Sequence, residues 1–503
     1  MQEHFPPAPT TVGLESGPLF GVQFSQLPCS DLAARFGDGT IGPKRSPLGL
    51  SADPGGFPLY KDGVVVGGIG VSGDDDYGFD PNILDVDVSD EEAIALAGIQ
   101  GFAPSGEIVA DRIPVDGTTL RFTDMTVNDL GPLQTSFGAI VPLGTLIAVT
   151  GYTDGLIRAG TAYGSEASGV RASRASEFAL PDAYVLTDGG GTNRYPVRAG
   201  TDGASVAQPI TGAEAQALLE EAFKVLSRAR AQIRRPLDSR MQATISLVDT
   251  HGAVLGLVRS PDGPVFGTDV SLQKARTAAF LSNPAAAAQL SATPSVPGVT
   301  NIAGYVQRMR TFLADPASLT GNVAYADRAV GNLARPYFPD GEVARPPGPL
   351  SVEQSARFSP FAVGLQSDLI IPNLLEHLGF VTSGGAQPDT ARACTQVPAA
   401  PGGMRRLANG AQIFPGSVPV YRGNVLVGGI GVSGDGIDQD DMVAFLGTHN
   451  GGLRAGGVGN APLAMRSDRV VVNLGNAQVR LRYVSCPFAP FLGDPAQNVC
   501  EGL

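Results

Sequence analysis

The chain has 503 residues, of which 43% are hydrophobic, so it is long enough for two or three domains with buried cores. Its formal net charge is −13, which disfavours nucleic acid and anionic membrane surfaces as partners. No apolar run approaches the length of a membrane helix, so we expect no membrane span.

The cysteines lie far apart, at positions 29, 394, 486 and 500, and no pair has the C-x-x-C spacing of a zinc or redox site. An even number of widely spaced cysteines fits an exported protein with one or two disulfides, and four ordinary buried thiols are the alternative. Residues Met1–Thr10 lack the basic and apolar regions of a signal peptide. We therefore expect an extracytoplasmic protein, periplasmic or secreted, whose export signal is not in this sequence.

The first predicted element is a β-hairpin, in which residues 57–61 and 64–71 flank the turn pair Asp62-Gly63. Glycines in its second strand suggest close approach by another backbone or a ligand. A helix then begins at the acidic residues 90–92, because carboxylates favour a helix N-terminus. The acidic run at 74–87 between them is typical of a solvated loop, with calcium binding as the alternative.

Residues 123–205 have the pattern of a connecting region rich in strands and loops, with strands expected at 140–151 and 184–187. Beyond it, Thr211 and Glu214 have capping-box spacing and open a helix that we expect to end at Arg235-Pro236.

A second β-β-α order follows this helix. We expect strands at 244–248 and 254–258, then a helix over about 269–280. A loop-rich insertion at about 285–415 is predicted to contain two short helices, at 302–313 and 368–378.

The second hairpin repeats the first. Residues 57–74 and 418–435 are identical at 12 of 18 aligned positions without a gap, and a helix follows each hairpin. We therefore predict two diverged copies of one α/β unit: a partial copy at 1–122, the connecting region at 123–205 and a second copy at 206–503.

The first copy lacks the helix, hairpin and helix that open the second. Either the chain is truncated there, or another segment or subunit completes the sheet, with residues 123–205 as the candidate segment. We favour a truncation or an incorrectly assigned start.

Three ordered motifs resemble the GlcG/HbpS-like haem-binding family: residues 244–252, 271–279 and 427–434. The resemblance covers about 210–285 and 415–450, and 45–100 as a half copy. It implies an α/β (α+β) fold, a roughly five-stranded, mainly antiparallel sheet flanked by helices, here duplicated and interrupted by the insertion. It also implies symmetric homo-oligomers and binding of haem or a haem degradation signal. A related module is fused to corrinoid adenosyltransferases, so another tetrapyrrole is an alternative ligand.

Haem iron accepts His, Met, Cys or Tyr as axial ligands, and the sequence has only 4 histidines. His251 lies in the family's hairpin turn and is our candidate axial ligand, with an ordinary turn residue as the alternative. Tyr421, the repeat equivalent of Tyr60, follows a proline in a strand and is a second candidate, with a core tyrosine as the alternative. No C-x-x-C-H motif exists, so binding would be non-covalent.

Further candidates surround the expected cleft. Lys274 and Arg276 lie two residues apart on a helix and so point in different directions, and one of them could face a propionate. Ser433 and Asp435 end the glycine-rich strand beside the same cleft, where helix capping explains them as well. The sequence has no G-x-S-x-G motif and no cysteine placed with a histidine, so we assign no catalytic residue.

We therefore predict non-covalent binding of haem or a related tetrapyrrole for sensing, storage or transport. The alternatives are an enzyme with a small-molecule cleft between the repeats, and an assembly module that has lost its ligand.

Overall fold

The computed structural model describes residues 29–44, 54–73, 86–115, 118–132, 136–232, 234, 236, 238–335, 338–339, 345–351 and 364–503. Residues 74–85 of the acidic run at 74–87, for which we predicted a solvated loop, lie outside these ranges. Within them, none of the helices combines the length and the apolar character that a bilayer crossing requires.

Antiparallel ladders and helices alternate along the chain. The strands are β1 (Gly56–Lys61), β2 (Val64–Gly70), β3 (Pro114–Val115), β4 (Thr118–Thr119), β5 (Val170–Ala172), β6 (Tyr184–Leu186), β7 (Ala243–Asp249), β8 (Val254–Arg259), β9 (Ser417–Arg422), β10 (Val425–Gly434), β11 (Gly459–Asn460), β12 (Val471–Asn473) and β13 (Gln478–Arg480). The helices are α1 (Asp90–Gly98), α2 (Phe137–Ile140), α3 (Gly212–Arg228), α4 (Gly267–Leu281), α5 (Ala286–Ala292), α6 (Ile302–Phe312), α7 (Asp327–Leu333), α8 (Leu365–Asp368), α9 (Ile371–Thr382) and α10 (Ile437–Ala455).

The largest sheet has the strand order β11-β9-β10-β7-β8-β6-β5, and every ladder in it is antiparallel. The predicted α+β class, with a mainly antiparallel sheet and flanking helices, is confirmed. The sheet has seven strands where we expected about five. The additional strands are β5 and β6, from the connecting region, and the short β11. No local sequence pattern had indicated β11.

Helices cover both faces of this sheet. On β10, a Cβ at Gly429 or Gly431 would meet the backbone of α4, whereas a Cβ at Gly428 would meet Ile210 beside the start of α3. Because successive side chains of a strand point to opposite faces, α4 and α3 lie on opposite sides of the sheet. All residues of β7 and β8 are buried as a result, including the polar Thr244, Ser246 and Asp249.

Helix α3 begins as predicted, since Thr211 and Glu214 form a reciprocal capping box. It ends earlier than predicted, because Ala229 is extended (φ −67°, ψ 140°) and the Arg230 N–H donates to Pro490 O at 2.7 Å. The prediction of a helix reaching Arg235-Pro236 was therefore wrong: backbone pairing with the C-terminal segment replaces the last turns.

The insertion is more ordered than predicted. Besides α6 and α9, which lie close to the helices expected at 302–313 and 368–378, it contains α5, α7 and α8. These helices surround a second core that includes Tyr305, Met309 and Phe338. The sequence pattern did not predict this core, because its apolar residues come from short, separated segments in a loop-rich region.

The N-terminal hairpin β1–β2 packs against α1 around a small core of Phe57, Ala95, Leu96 and Ile99. In the connecting region, the strand expected at 184–187 is present as β6, but residues 140–151 form short helical turns and loops, so that strand prediction was wrong. Strands β5 and β6 extend the sheet of the second unit through the pair Tyr184–Arg259. They do not complete the first hairpin, the role for which we considered this region. The proposed domain boundaries and the tandem-copy interpretation stay predictions.

Candidate functional site

His251 lies in the turn between β7 and β8, as predicted, and is 2% exposed. Its backbone N–H donates to Asp249 Oδ1 at 2.9 Å, and its Nε2 lies 2.7 Å from Ser205 Oγ. Burial and then the nearby Arg406 guanidinium lower the pKa of His251, while Asp249 and Asp202 oppose that change. The imidazole is therefore neutral at pH 7 and is engaged with Ser205.

Lys274 extends from α4 into the interior. Its Nζ donates to Val432 O at 2.8 Å and to Asp440 Oδ2 at 2.9 Å, and the Lys274 and Asp440 side chains are both buried. Burial raises the pKa of Asp440 to about 6, although Lys274 opposes the rise. The ammonium thus ties α4 to β10 and α10.

Arg276 is fully buried and its guanidinium is occupied on all sides. It donates to Gly252 O at 2.9 Å, to Asn409 Oδ1 at 2.6 Å and to Asp31 Oδ2 at 2.8 Å. This arginine connects α4, the β7–β8 turn and the segment 29–44. A ligand carboxylate would have to displace one of these partners.

Asp435 and Ser433 lie at the C-terminal end of β10. Asp435 is buried, accepts a hydrogen bond from the Gln242 N–H at 2.9 Å and forms an ion pair with Arg234. Burial raises the pKa of Asp435 to about 6, against the effect of Arg234. Ser433 is buried within the strand beside it.

The predicted residues divide between the two ends of β10. Tyr421 pairs with Leu426 at the start of this strand, and Ser433 is seven residues further on. At about 3.3 Å per residue the two ends are roughly 23 Å apart. Tyr421 and His251 therefore lie at one end, Lys274, Ser433 and Asp435 lie at the other, and one small ligand cannot contact all of them.

A cavity of about 500 Å³ opens at the end that holds Tyr421. It lies between the β7–β8 turn, the β9–β10 turn and the C-terminal end of α4, and its size is within the range of small-molecule sites. The lining residues are Ser205, Val206, Thr250, Ser282, Asn283, Pro284, Ala285, Gly321, Arg406, Tyr421, Asn424, Val425 and Leu426. The wall is thus mixed, with apolar side chains beside hydroxyls, amides, one phenol and one guanidinium.

Tyr421 lines this cavity, and its phenol is buried. Although the Ser282 hydroxyl is nearby, the Tyr421 hydroxyl completes no hydrogen bond with any residue of the described ranges. Burial raises the pKa of Tyr421 well above its usual range, with Ser282 opposing part of the rise. A buried hydroxyl without a partner is costly, so a ligand that bonds to it would recover that free energy.

Arg406 is the residue that sequence reasoning missed. It is 5% exposed, its Nε donates to Thr250 O at 2.9 Å, and within the described part of the chain no carboxylate forms an ion pair with it. Burial lowers the pKa of Arg406, and Asp249 and Asp202 oppose that change. Those two carboxylates accept hydrogen bonds from Thr201 and Thr250 instead. The guanidinium is therefore a buried positive charge at the cavity wall.

No sequence signal marks Arg406, because it lies at the end of the insertion, 155 residues after His251 in the chain. The neighbouring Arg405 donates hydrogen bonds to the backbone carbonyls of residues 394 and 395. Only the folding of the insertion against the β7–β8 turn distinguishes the two arginines.

Outside this cavity, a hydroxyl, an imidazole and a carboxylate are connected by hydrogen bonds. Tyr152 Oη is 2.6 Å from His377 Nε2, and His377 Nδ1 is 2.6 Å from Asp389 Oδ1. None of the three residues lines the cavity. These three hydrogen-bonded residues join α9 to the turn around residue 152. The sequence did not predict the arrangement, because the residues are far apart along the polypeptide.

Residues 378–448 match the family described as "Haem degrading protein HbpS-like". The matched segment ends within α10 and includes Arg406, β9 and β10. A search of curated proteins found no match.

Among solved structures, one similar chain is described as "Crystal Structure of PduOC:Heme Complex". It is 14% identical, the alignment covers 51% of this chain and 100% of that chain, and the TM-score is 0.21. A score this low supports no argument about fold or ligand. The family match agrees with the resemblance found in the motifs: over residues 378–448, which include the third motif, this chain is similar to the HbpS-like family.

Proposed function

We propose that the 500 Å³ cavity binds haem or a related tetrapyrrole non-covalently, with Tyr421 as the axial ligand and Arg406 as the partner of a propionate. The observation that carries the proposal is the pairing, on one wall, of a buried phenol that completes no hydrogen bond within the described ranges and a buried guanidinium that forms no ion pair there, although Asp249 and Asp202 lie near it. Haem is suited to this combination, since it has an apolar ring, a metal that accepts tyrosinate, and anionic edges. The similarity to a family named for haem degradation supports the same ligand.

The ligand would be held without a covalent bond to the protein. All four cysteines form disulfides, Cys29 with Cys394 and Cys486 with Cys500, so no thiol is available for attachment. A tetrapyrrole held by one coordinating oxygen and one ion pair can exchange with solution. Such exchange suits sensing, storage or transport. His251 supports the wall through Ser205 in this proposal.

The test is an absorbance titration with haemin of wild type, Tyr421→Phe, Arg406→Gln and His251→Ala. We expect saturable binding with micromolar or tighter affinity, and Tyr421→Phe should remove the ferric-tyrosinate absorption and weaken binding at least tenfold. Tyr60→Phe, the repeat-equivalent change, is the matched control and should have no effect. No Soret change in the wild type would contradict haem as the ligand. Loss of the Soret change in His251→Ala alone would instead assign the axial position to His251.

Arg406→Gln should weaken haemin binding roughly tenfold, which corresponds to about 1.4 kcal/mol. Haemin dimethyl ester has no charged propionates, so it should bind wild type and Arg406→Gln equally. An equal loss for haemin and its ester would show that Arg406 acts through packing and would contradict the ion pair.

The pH dependence of binding separates the two candidate axial ligands. Because burial raises the pKa of Tyr421, the free phenol is protonated at neutral pH and must lose its proton to bind iron. Haemin affinity should therefore rise between pH 7 and pH 9. His251, whose pKa is lowered, is already neutral in this range, so ligation by His251 predicts a flat profile.

We also propose that the protein is extracytoplasmic and forms a homo-oligomer. The two disulfides support export, because such bonds persist mainly in oxidising compartments. Thiol alkylation of fractionated cells should find oxidised protein outside the cytoplasm, and light scattering should give a mass that is a multiple of the 51.7 kDa chain. Reduced cytoplasmic protein would contradict export, and a mass of one chain would contradict the oligomer.

A further inference from the structure

The hairpins β1–β2 and β9–β10 have the same geometry. Gly56 pairs with Gly70 and Phe57 with Ile69 in the first hairpin, and the residues 361 positions later, from Ser417 to Gly431, pair in the same register. Both ladders skip one residue at the same place, Val66 in β2 and Val427 in β10. The second hairpin therefore shows how this unit is completed when its neighbours are present.

In the second unit, the outer edge of β10 pairs with β7, from Gly428–Asp249 to Gly434–Ala243. Helix α4 then covers the glycines of one face. A Cβ at Gly429 would lie 2.4 Å from Ala275 O, and a Cβ at Gly431 would lie 2.1 Å from Ser271 O. The glycines are required here because the helix backbone approaches so closely.

In the first unit, the equivalent strand is β2, and it lacks these neighbours among the described residues. None of the residues in the described ranges pairs with the outer edge of β2, whose two-stranded sheet contains only β1 and β2. Helix α1 covers one face, where Gly98 contacts Ile69. On the other face, a Cβ at Gly70 would meet no atom of the described residues within 4 Å. Val65 and Val66 are 47% and 56% exposed, whereas their equivalents Leu426 and Val427 are 7% and 0% exposed.

An exposed strand edge is usually protected by charge, proline or a bulge that turns it away. The segment Val64–Gly70 has the sequence VVVGGIG, with no charged residue and no proline. Its bulge is shared with β10, which is a paired central strand, so the bulge does not prevent pairing. The edge and the glycine face are therefore suited to a partner backbone.

We propose that β2 binds a separate polypeptide segment that supplies an antiparallel strand and a small-residue helix of the kind formed by β7, β8 and α4. The strand would extend the β1–β2 sheet by backbone hydrogen bonds, and the helix would cover Gly68 and Gly70. A second copy of this chain does not fit as the donor, because its own β7 and α4 are buried against its own β10. The partner is therefore a polypeptide with the front half of this fold.

The first measurement is amide hydrogen exchange on the full chain. Residues 64–70 should exchange at least a hundredfold faster than residues 425–434, since only the latter have a strand on both edges. Equal protection of the two segments would overturn the proposal, because it would mean that the edge of β2 is already covered.

The second measurement adds a synthetic peptide of residues 243–281 as the probe. We expect it to bind the full chain with micromolar affinity and to slow exchange in residues 64–70. Gly70→Leu should weaken binding at least tenfold, because its side chain would occupy the position of the helix backbone. Gly106→Leu adds the same side chain in open space elsewhere and should bind normally.

Absence of peptide binding would overturn the proposal. So would a dimer of the chain that excludes the peptide and is lost in Gly70→Leu, because that result would make a second copy the occupant of β2.

Discussion

Asp269 on α4 is a buried carboxyl with a raised pKa. It accepts a hydrogen bond from the Ser30 hydroxyl, and its environment raises its pKa to about 7. Burial is the main cause, and Ser30 opposes the rise. The folded protein therefore binds a proton at this site that the unfolded chain, with a pKa near 3.8, has already lost.

The difference between the folded and unfolded pKa values of Asp269 determines how stability changes with pH. A carboxyl whose folded-state pKa is raised contributes stability that is fully present below about pH 4 and is lost as the pH rises through about 7. The interval between the two pKa values corresponds to about 4 kcal/mol. Asp269→Asn should therefore reduce the loss of stability between pH 4 and pH 7, and it should be more stable than wild type at pH 8.

Chemical denaturation at a series of pH values checks this prediction. Asp435 and Asp440 also have raised pKa values of about 6, but they titrate in both proteins, so the difference between the two profiles isolates Asp269. Identical profiles for wild type and variant would contradict the prediction.

At the scale of elements, one strand sequence exists in two environments. Gly431 lies under the backbone of α4, whereas no described residue lies within 4 Å of a Cβ built at its equivalent, Gly70. Neither glycine has a positive φ, so an alanine meets no backbone strain at either position and only the packing differs. The pair therefore separates the effect of helix packing from the effect of strand propensity.

Gly431→Ala should destabilise the fold by about 3 kcal/mol, because the added methyl would lie 2.1 Å from the backbone oxygen of Ser271 and neither backbone can move freely. Gly70→Ala, the matched control, should change stability by less than about 0.5 kcal/mol. Thermal unfolding followed by circular dichroism measures both. Equal effects of the two changes would show that α4 does not impose the requirement for glycine.

At the scale of the whole molecule, a long-range disulfide joins distant segments. Cys29 and Cys394 are 365 residues apart, and this bridge attaches segment 29–44 to the insertion. The ion pair of Arg276 with Asp31 attaches the same segment to α4. Cys486–Cys500 closes a separation of only 14 residues.

Replacing Cys29 and Cys394 by serine should lower the melting temperature more than replacing Cys486 and Cys500. Loop-closure entropy gives ceilings of roughly 6 kcal/mol and roughly 3 kcal/mol for the two bridges. Calorimetry of the two double variants tests the order. A larger effect of the short bridge would indicate that local packing, and not chain entropy, dominates.

Local patterns predicted those parts of the fold that depend on nearby residues. The capping box of α3 and the hairpin β7–β8 are formed as expected, because caps and tight turns involve groups a few positions apart. The repeat of residues 57–74 at 418–435 also determined the shared register of the two hairpins. For the candidate site, the same reasoning placed Tyr421 on its strand and His251 in its turn.

Only the tertiary structure decided the rest, because contacts between distant segments leave no local pattern. It assigned Lys274 to an internal ion pair with Asp440, joined β5 and β6 to the second unit, and placed Arg406 beside Tyr421. It also gave two nearly identical strands opposite environments, covering β10 and leaving the outer edge of β2 open within the described part of the chain. The sequence by itself determined the hairpins and their chemistry, and long-range packing decided which of their surfaces are available to a ligand or a partner.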